Sequence, residues 1–337
     1  MFKSFVNPAP VISASRRLFI ISLLISMPLS AAESLEPNIA PHEQELLSWL
    51  SDQETEMINL LERLTNINSG NLNKAGMAKV AEIFSHELSA MGFDIDKLPG
   101  GRIDMPSCPG SDYSLDLPDH VLAYQSGSGK RLLLVGHLDT VFPPDRPFQS
   151  YRRGGDRVSG LCATDMQGGQ VVMLNALKAL DAKGLLEDMT VTVQLNGDEE
   201  MGSLSSSKYL KEQVALHDYR LAYEFTRTNN LVRVRKGLGL ARYVVNGKAS
   251  HAGGAHERGR SAIKELAYKI VEIENLTDSG GGNDGSLTDT DARGLTKLDS
   301  LGIAGTGAHS NHNQIRLGSL LERAQLSAVL IGRLGRK

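Results

Sequence analysis

The sequence predicts an α/β fold: a mixed, mainly parallel sheet with helices on both faces. Three observations predict it. Short apolar runs at 121–124, 131–135 and 190–195 have the near-continuous hydrophobicity of strands buried on both faces. Between the last two lies a helical pattern at 169–180, apolar at Val171, Val172, Leu174, Ala176, Leu177 and Leu180. Strands alternating with helices of this length describe a layered domain with helices packed on a sheet.

In chain order, Arg16 and Arg17 precede the apolar run 18–29, and the small residues Ser30, Ala31 and Ala32 follow it. A charged region, a hydrophobic region and a small-residue cleavage site predict a secretory signal over 1–32. The run is too short for a comfortable membrane span, although an N-terminal anchor is the alternative. Ser15-Arg16-Arg17-Leu18-Phe19 also fits a twin-arginine export address. Export to a bacterial periplasm is expected, by the Sec or the twin-arginine route, with the membrane serving only as the export route.

From Glu43 onward, Trp49, Ile58, Leu60, Leu61 and Leu64 predict one helix, and 76–91 a second, stopped by Gly92. Ser126-Gly127-Ser128-Gly129-Lys130 superficially resembles a phosphate loop. It lacks the spaced first glycine, Lys130 is followed by Arg131, and it precedes a strand, so a hairpin turn is expected. The polar, glycine-rich stretch 278–291 predicts a loop or the start of a capped helix.

With 337 residues, 41% of them hydrophobic and 22% charged, the chain can build a sizeable core in one large domain or two. A net charge of −3 without a Lys/Arg cluster excludes the electrostatic footprint of a nucleic-acid binder. Cys108 and Cys162 allow at most one disulfide.

Polar groups gather at the predicted strand ends. His137 and Asp139 follow the apolar run 132–135; Asp165 stands before the helix at 169; Asp198, Glu199 and Glu200 follow 190–196 directly. Glu224 ends another apolar stretch, and His309 lies in a glycine-rich loop. Each alone has an ordinary explanation: a hydrogen-bonded loop histidine, a solvated turn, a helix cap. Together they fall where open α/β sheets bind ligands, beyond the carboxyl ends of the strands. Two histidines with several carboxylates are a zinc ligand set, and a bridging carboxylate lets such a site hold two ions. Neighbouring carboxylates repel one another unless cations neutralise them.

These stretches occur in a recognisable order: GHLDTV at 136–141, DMQGG at 165–169, DEEMGS at 198–203 and GKASHAG at 247–253. The chain resembles the zinc-dependent exopeptidases and deacylases that include glutamate carboxypeptidase, acetylornithine deacetylase and succinyl-diaminopimelate desuccinylase, and most of all the glutamate carboxypeptidase branch. The resemblance runs from about Gln53 to the C-terminus. It implies two Zn2+ ions per subunit, with His137, Asp165, Glu200, Glu224 and His309 as ligands and Asp165 bridging. It implies Glu199 as general base and Asp139 as the acceptor that orients the His137 ring. It also implies that His251 reaches across from a partner subunit to the substrate. The substrate it implies is a small peptide or an N-acyl amino acid, cut at an amide bond beside a free carboxylate. An N-acyl-amino-acid deacylase and a non-catalytic, metal-binding remnant are the rival readings.

The resemblance also marks a departure. The family inserts a four-stranded, two-helix lid that mediates dimerisation. That lid needs about 42 residues before any loops, whereas the interval 237–276 provides about 40 and carries only one predicted strand (237–247) and one helix (259–275). The expected organisation is a catalytic domain from 42–236 and 277–337 with a lid remnant at 237–276. One face of the lid helix should be uncovered, and a homodimer through the shortened lid would cover part of it. Cys162 and Gln167 stand where the family more often has glycine and lysine, and Cys162 is read as a packed core thiol or an adventitious metal ligand.

Overall fold

The alternation of apolar runs and helical periods builds a three-layer body, seen in a computed structural model that describes residues 38–71, 73–105, 113–146, 150–233, 243–274 and 296–336. The predicted signal, Cys108, the first part of the predicted lid strand and the loop 278–291 lie outside the described residues. The chain divides into 1–39 and a second unit, Ala40–Lys337, and only the second is described below.

Its helices and strands run α1 Pro41–Asp52, α2 Glu54–Thr65, α3 Lys74–Ala90, β1 Asp94–Leu98, β2 Gly101–Met105, β3 Tyr113–Leu117, β4 His120–Gln125, β5 Arg131–His137, β6 Arg152–Gly154 and β7 Arg157–Ser159. They continue with α4 Gly168–Ala182, β8 Thr190–Asn196, α5 Ser206–Leu216, β9 Tyr219–Ala222, α6 Ala262–Glu274, β10 Thr296–Leu298, β11 Gly305–Thr306, β12 Gln314–Arg316 and α7 Gly318–Gly335. The main sheet has the order β1-β4-β8-β5-β9-β10. Pairing is parallel from β8 through β5 and β9 to β10, and antiparallel at β1–β4 and β4–β8. The expected mixed, mainly parallel sheet is therefore present.

Burial explains the strand sequences. β5 and β8 are buried along nearly their whole length, because helices cover both faces. Leu132 and Leu134 point to the side of α4 and α7, and Leu133 and Val135 meet Leu210 and Val214 of α5 on the other. α4 is apolar nearly all round because it is sandwiched in the interior, with Val171, Val172, Leu174, Leu177 and Leu180 fully buried.

Two expectations need correction. The first predicted helix is two, α1 and α2, separated at Gln53, whose dihedrals (φ −95°, ψ 1°) leave the helical range. No Pro or Gly marks the break. Its physical reason is that each half turns its own apolar stripe inward, Leu46 and Leu50 from α1 and Met57, Leu61 and Leu64 from α2. The stretch 126–130 is not a hairpin turn, because β8 lies between β4 and β5. It crosses the end of β8, where the Ser128 amide donates to the Asp188 carbonyl (2.9 Å) and the Gly127 amide to Thr190 Oγ1 (3.1 Å).

In the region read as a lid, 243–247 are not a strand, and one bridge pairs Lys248 with Arg260. α6 forms as expected and leaves its apolar residues open: Ile263 is 83% exposed, and Tyr268, Ile270, Val271 and Ile273 more than half. Among the described residues, no helix is long and apolar enough to cross a membrane.

Candidate metal centre

The parallel strands point their carboxyl ends the same way, and those ends carry the site. β5 delivers His137 as its last residue. Its amide donates to Met166 Sδ (3.1 Å), and its carbonyl accepts from the Gln170 side chain, which ties it to the start of α4. Asp165 sits just before α4, joined to Met166 by a cis peptide bond. At Gly169, the second α4 residue, a Cβ would overlap the carbonyl of Tyr223 at the end of β9. Only glycine lets this helix come so close to the strand that leads into Glu224. β8 leads into Glu199 and Glu200, and His309 projects from the loop between β11 and β12 in a left-handed conformation, φ 64°.

These side chains converge around one carboxylate. His137 Nε2 lies 3.1 Å from Asp165 Oδ1, and His309 Nε2 lies 3.1 Å from Asp165 Oδ2. Glu224 Oε1 stands 3.7 Å and Glu199 Oε2 3.9 Å from His137 Nε2, while Glu200 Oε1 stands 3.2 Å from His309 Nε2. The cluster thus has two sides that share Asp165: His137 with Glu224, and His309 with Glu200. Ligand atoms of His137, Asp165 and Glu200 all lie within 4.8 Å of one another, close enough to hold a metal ion.

The electrostatics have the same origin. Burial pulls the His137 imidazole down, but Asp139, Asp165, Glu199 and Glu224 outweigh it and hold the ring well above its ordinary value. Asp165 and Glu200 push His309 up to about 10. Burial raises Glu224 well above the usual carboxylate range, raises Glu200, and pushes Glu199 up to about 7. Asp165 moves the other way: burial opposes its charge, and the two imidazoles hold it well below its ordinary value.

Asp139 is fully buried, and its carboxylate faces more than the ring it was expected to orient. The nearest Asp139 oxygen to His137 Nδ1 is the main-chain carbonyl (2.9 Å), with carboxylate Oδ1 at 3.4 Å. The carboxylate accepts the amides of Glu199 (3.1 Å) and Glu200 (2.9 Å), and the Asn71 side-chain amide in its bonded orientation (3.1 Å). One buried carboxylate therefore fixes the backbone of both glutamates.

The sequence from 133 to 333 matches the model of peptidase family M20/M25/M40. The chain belongs to that family. Among curated M20 relatives, carboxypeptidase G2 of Pseudomonas sp. (strain RS-16) is 31% identical over 237 residues, 69% of this chain and 54% of that protein. Succinyl-diaminopimelate desuccinylase of Gluconacetobacter diazotrophicus is 27% identical over 198 residues, 55% of this chain and 48% of its own length. The chain spans about half the length of the curated relatives it matches. The fold is that of solved M20 peptidases. A Staphylococcus aureus tripeptidase superposes with TM-score 0.56 at 13% identity, over 83% of this chain and 99% of that one. An M20 metallo-carboxypeptidase from Sulfolobus solfataricus superposes with TM-score 0.54 at 12% identity, over 82% and 98%.

Of the sequence-predicted residues, the fold brings His137, Asp139, Asp165, Glu199, Glu200, Glu224 and His309 together. His251 is exposed in its loop, where its Nδ1 accepts the amides of Gly253 (3.3 Å) and Gly254 (3.0 Å). No hydrogen bond or ion pair joins it to the cluster among the described residues. Cys162 is a free, fully buried thiol beside Ser69 and Thr140 among the described residues, which exclude Cys108. Burial pushes it up to about 12, so it stays a thiol and packs as core. Gln167 is buried too, with its amide 3.5 Å from Ser69 Oγ. Sequence reasoning missed the Asn71 contact and the environment of Asp198. The three consecutive acids offered a signal for the latter, since a buried first acid needs donors of its own.

Proposed function

We propose that this chain is an exported, metal-dependent amidohydrolase of the carboxypeptidase type, which cuts an amide bond beside a free carboxylate. The observation that carries the reading is the shared Asp165 carboxylate, one oxygen toward His137 with Glu224 and the other toward His309 with Glu200. The donor set fits two zinc ions, because each side offers one imidazole, one glutamate and one oxygen of the bridge. When bound, such ions supply Lewis acidity toward a carbonyl and lower the pKa of a water.

The chain's own groups supply the rest. Glu199 lies beside the ligand sets without being needed by either, and in the metal-free chain burial raises its carboxyl to about 7. Its place suits it to take a proton from the attacking water and return it to the leaving nitrogen. Asp139 holds Glu199 and Glu200 through their amides, so base and ligand keep a fixed separation. Carboxypeptidase G2 is a carboxypeptidase by name, whereas the desuccinylase and an acetylornithine deacetylase among the relatives are deacylases, and the same machinery serves both.

A second reading, a metal-binding remnant without turnover, is favoured by the uncovered apolar residues of α6. Amino-acid release from a panel of peptidyl and N-acyl amino acids by the zinc-loaded mature chain separates the two. Release abolished by a chelator and by Glu199→Gln supports the hydrolase. No release from a folded sample that retains its zinc supports the remnant.

A further inference from the structure

Asp198 precedes the two glutamates, is fully buried, and contacts neither histidine of the cluster among the described residues. Its Oδ2 accepts three donors from the start of α5: the Ser205 amide (2.6 Å), the Ser205 hydroxyl (2.9 Å) and the Ser206 amide (3.3 Å). Its carbonyl accepts the Ser203 amide (2.8 Å), which closes the turn that presents Glu199 and Glu200.

A histidine outside the cluster completes the arrangement. His120, the first residue of β4, is fully buried. Its Nδ1 lies 2.9 Å from the Gly197 amide, which can only donate, so this nitrogen accepts and the ring proton resides on Nε2. Nε2 lies 3.0 Å from Ser205 Oγ. The Ser205 hydroxyl, accepting that proton, directs its own to Asp198 Oδ2. The order His120–Ser205–Asp198 thus has one consistent set of donors. Burial lowers the ring's affinity for a second proton and keeps it neutral. One end of the network holds Gly197 and the other holds Asp198, the two residues that precede Glu199.

We propose that His120, Ser205 and Asp198 form a buried hydrogen-bond relay that positions the Glu199–Glu200 turn for metal binding, an inference that rests on the metal-centre reading above. Asp139 grips the amides of the two glutamates from β5, and the relay grips the preceding residues from β4 and α5. The relay acts on the side of the cluster that contains Glu200, and not on His137 and Glu224, which other strands deliver.

The test is zinc uptake by the mature chain, measured by competition with a chromophoric chelator, alongside the melting temperature of the metal-free protein. Ser205→Ala removes one hydroxyl and keeps the backbone donors to Asp198; His120→Leu removes both ring contacts. Both variants should weaken one zinc equivalent about 10- to 100-fold, as loss of an outer hydrogen-bonding partner does, and leave the other within twofold. His120→Gln, which places an amide donor near the position of Nε2, should recover part of the loss. Parental affinities at both equivalents in Ser205→Ala and His120→Leu would overturn the relay and leave the metal centre standing. So would equal weakening of both equivalents together with a lower metal-free melting temperature, which marks a purely structural cap on α5. A parent chain that takes up no zinc would overturn both readings.

Discussion

Asp139→Asn is the sharpest perturbation of the site, because it changes one atom and no volume. The Asp139 carboxylate is fully buried and accepts the amides of Glu199 at 3.1 Å and Glu200 at 2.9 Å through different oxygens. Asparagine has one acceptor oxygen, so one amide keeps its bond and the other faces an NH2 group. A hydrogen bond to a charged group contributes about 1.5–3 kcal/mol, and a buried donor left unmade costs about 1–3 kcal/mol. Asn71 can turn its amide and recover part of this, so a net loss of about 2–3 kcal/mol is expected. Urea unfolding of the metal-free chain measures it as a lower midpoint at unchanged slope. Zinc affinity should fall about 10- to 100-fold in parallel, since Glu200 loses its anchor. A midpoint and zinc affinity equal to those of the parent would refute the reasoning that Asp139 holds the two glutamates.

Zinc uptake by the metal-free chain at pH 8 should release protons, with His309, held at about 10, among the groups that give one up. Calorimetry in buffers of different ionisation enthalpy counts them, and affinity should weaken as pH falls. For the metal-free chain the stability effect has a defined sign: Glu199, raised from 4.5 to about 7, is protonated more in the folded than in the unfolded state across that window. Its contribution is therefore lost as pH rises from about 5 to 7, and urea midpoints across that range should fall. Gly169→Ala should cost about 1–3 kcal/mol and weaken zinc binding as well, because a Cβ there meets the Tyr223 carbonyl and pushes the start of α4, with Asp165, off the sheet. In a Cys108→Ser background, Cys162 should resist a thiol-specific dye until the chain unfolds, and rapid labelling of the folded protein would contradict its assignment as core.

What the sequence made legible follows from what each signal depends on. The strands at 131–137 and 190–196 were readable because burial on both faces writes itself as an unbroken apolar run. His137, Glu200 and Glu224 were readable because each closely follows an apolar run, where α/β sheets place ligands, whereas Asp165 before a helix and His309 in a glycine-rich loop joined them through the order of the motifs. The α1/α2 break was not readable, since Gln53 leaves the helix for tertiary reasons and no Pro or Gly records it. The order of strands was not readable either. β8 inserts between two strands adjacent in sequence, and that depends on which helices cover which face. The two-sided grouping around Asp165 and the role of Asp139 toward the glutamate amides are relations between distant segments, and spacing along the chain does not encode them.

Zinc stoichiometry of the mature chain, with His137→Ala and His309→Ala beside it, tests the central claim most directly. The account predicts two tightly held equivalents in the parent and one in each variant, because the two histidines serve opposite sides of Asp165. A single equivalent in the parent, lost in both variants, would mean that the cluster is one site and would contradict the account.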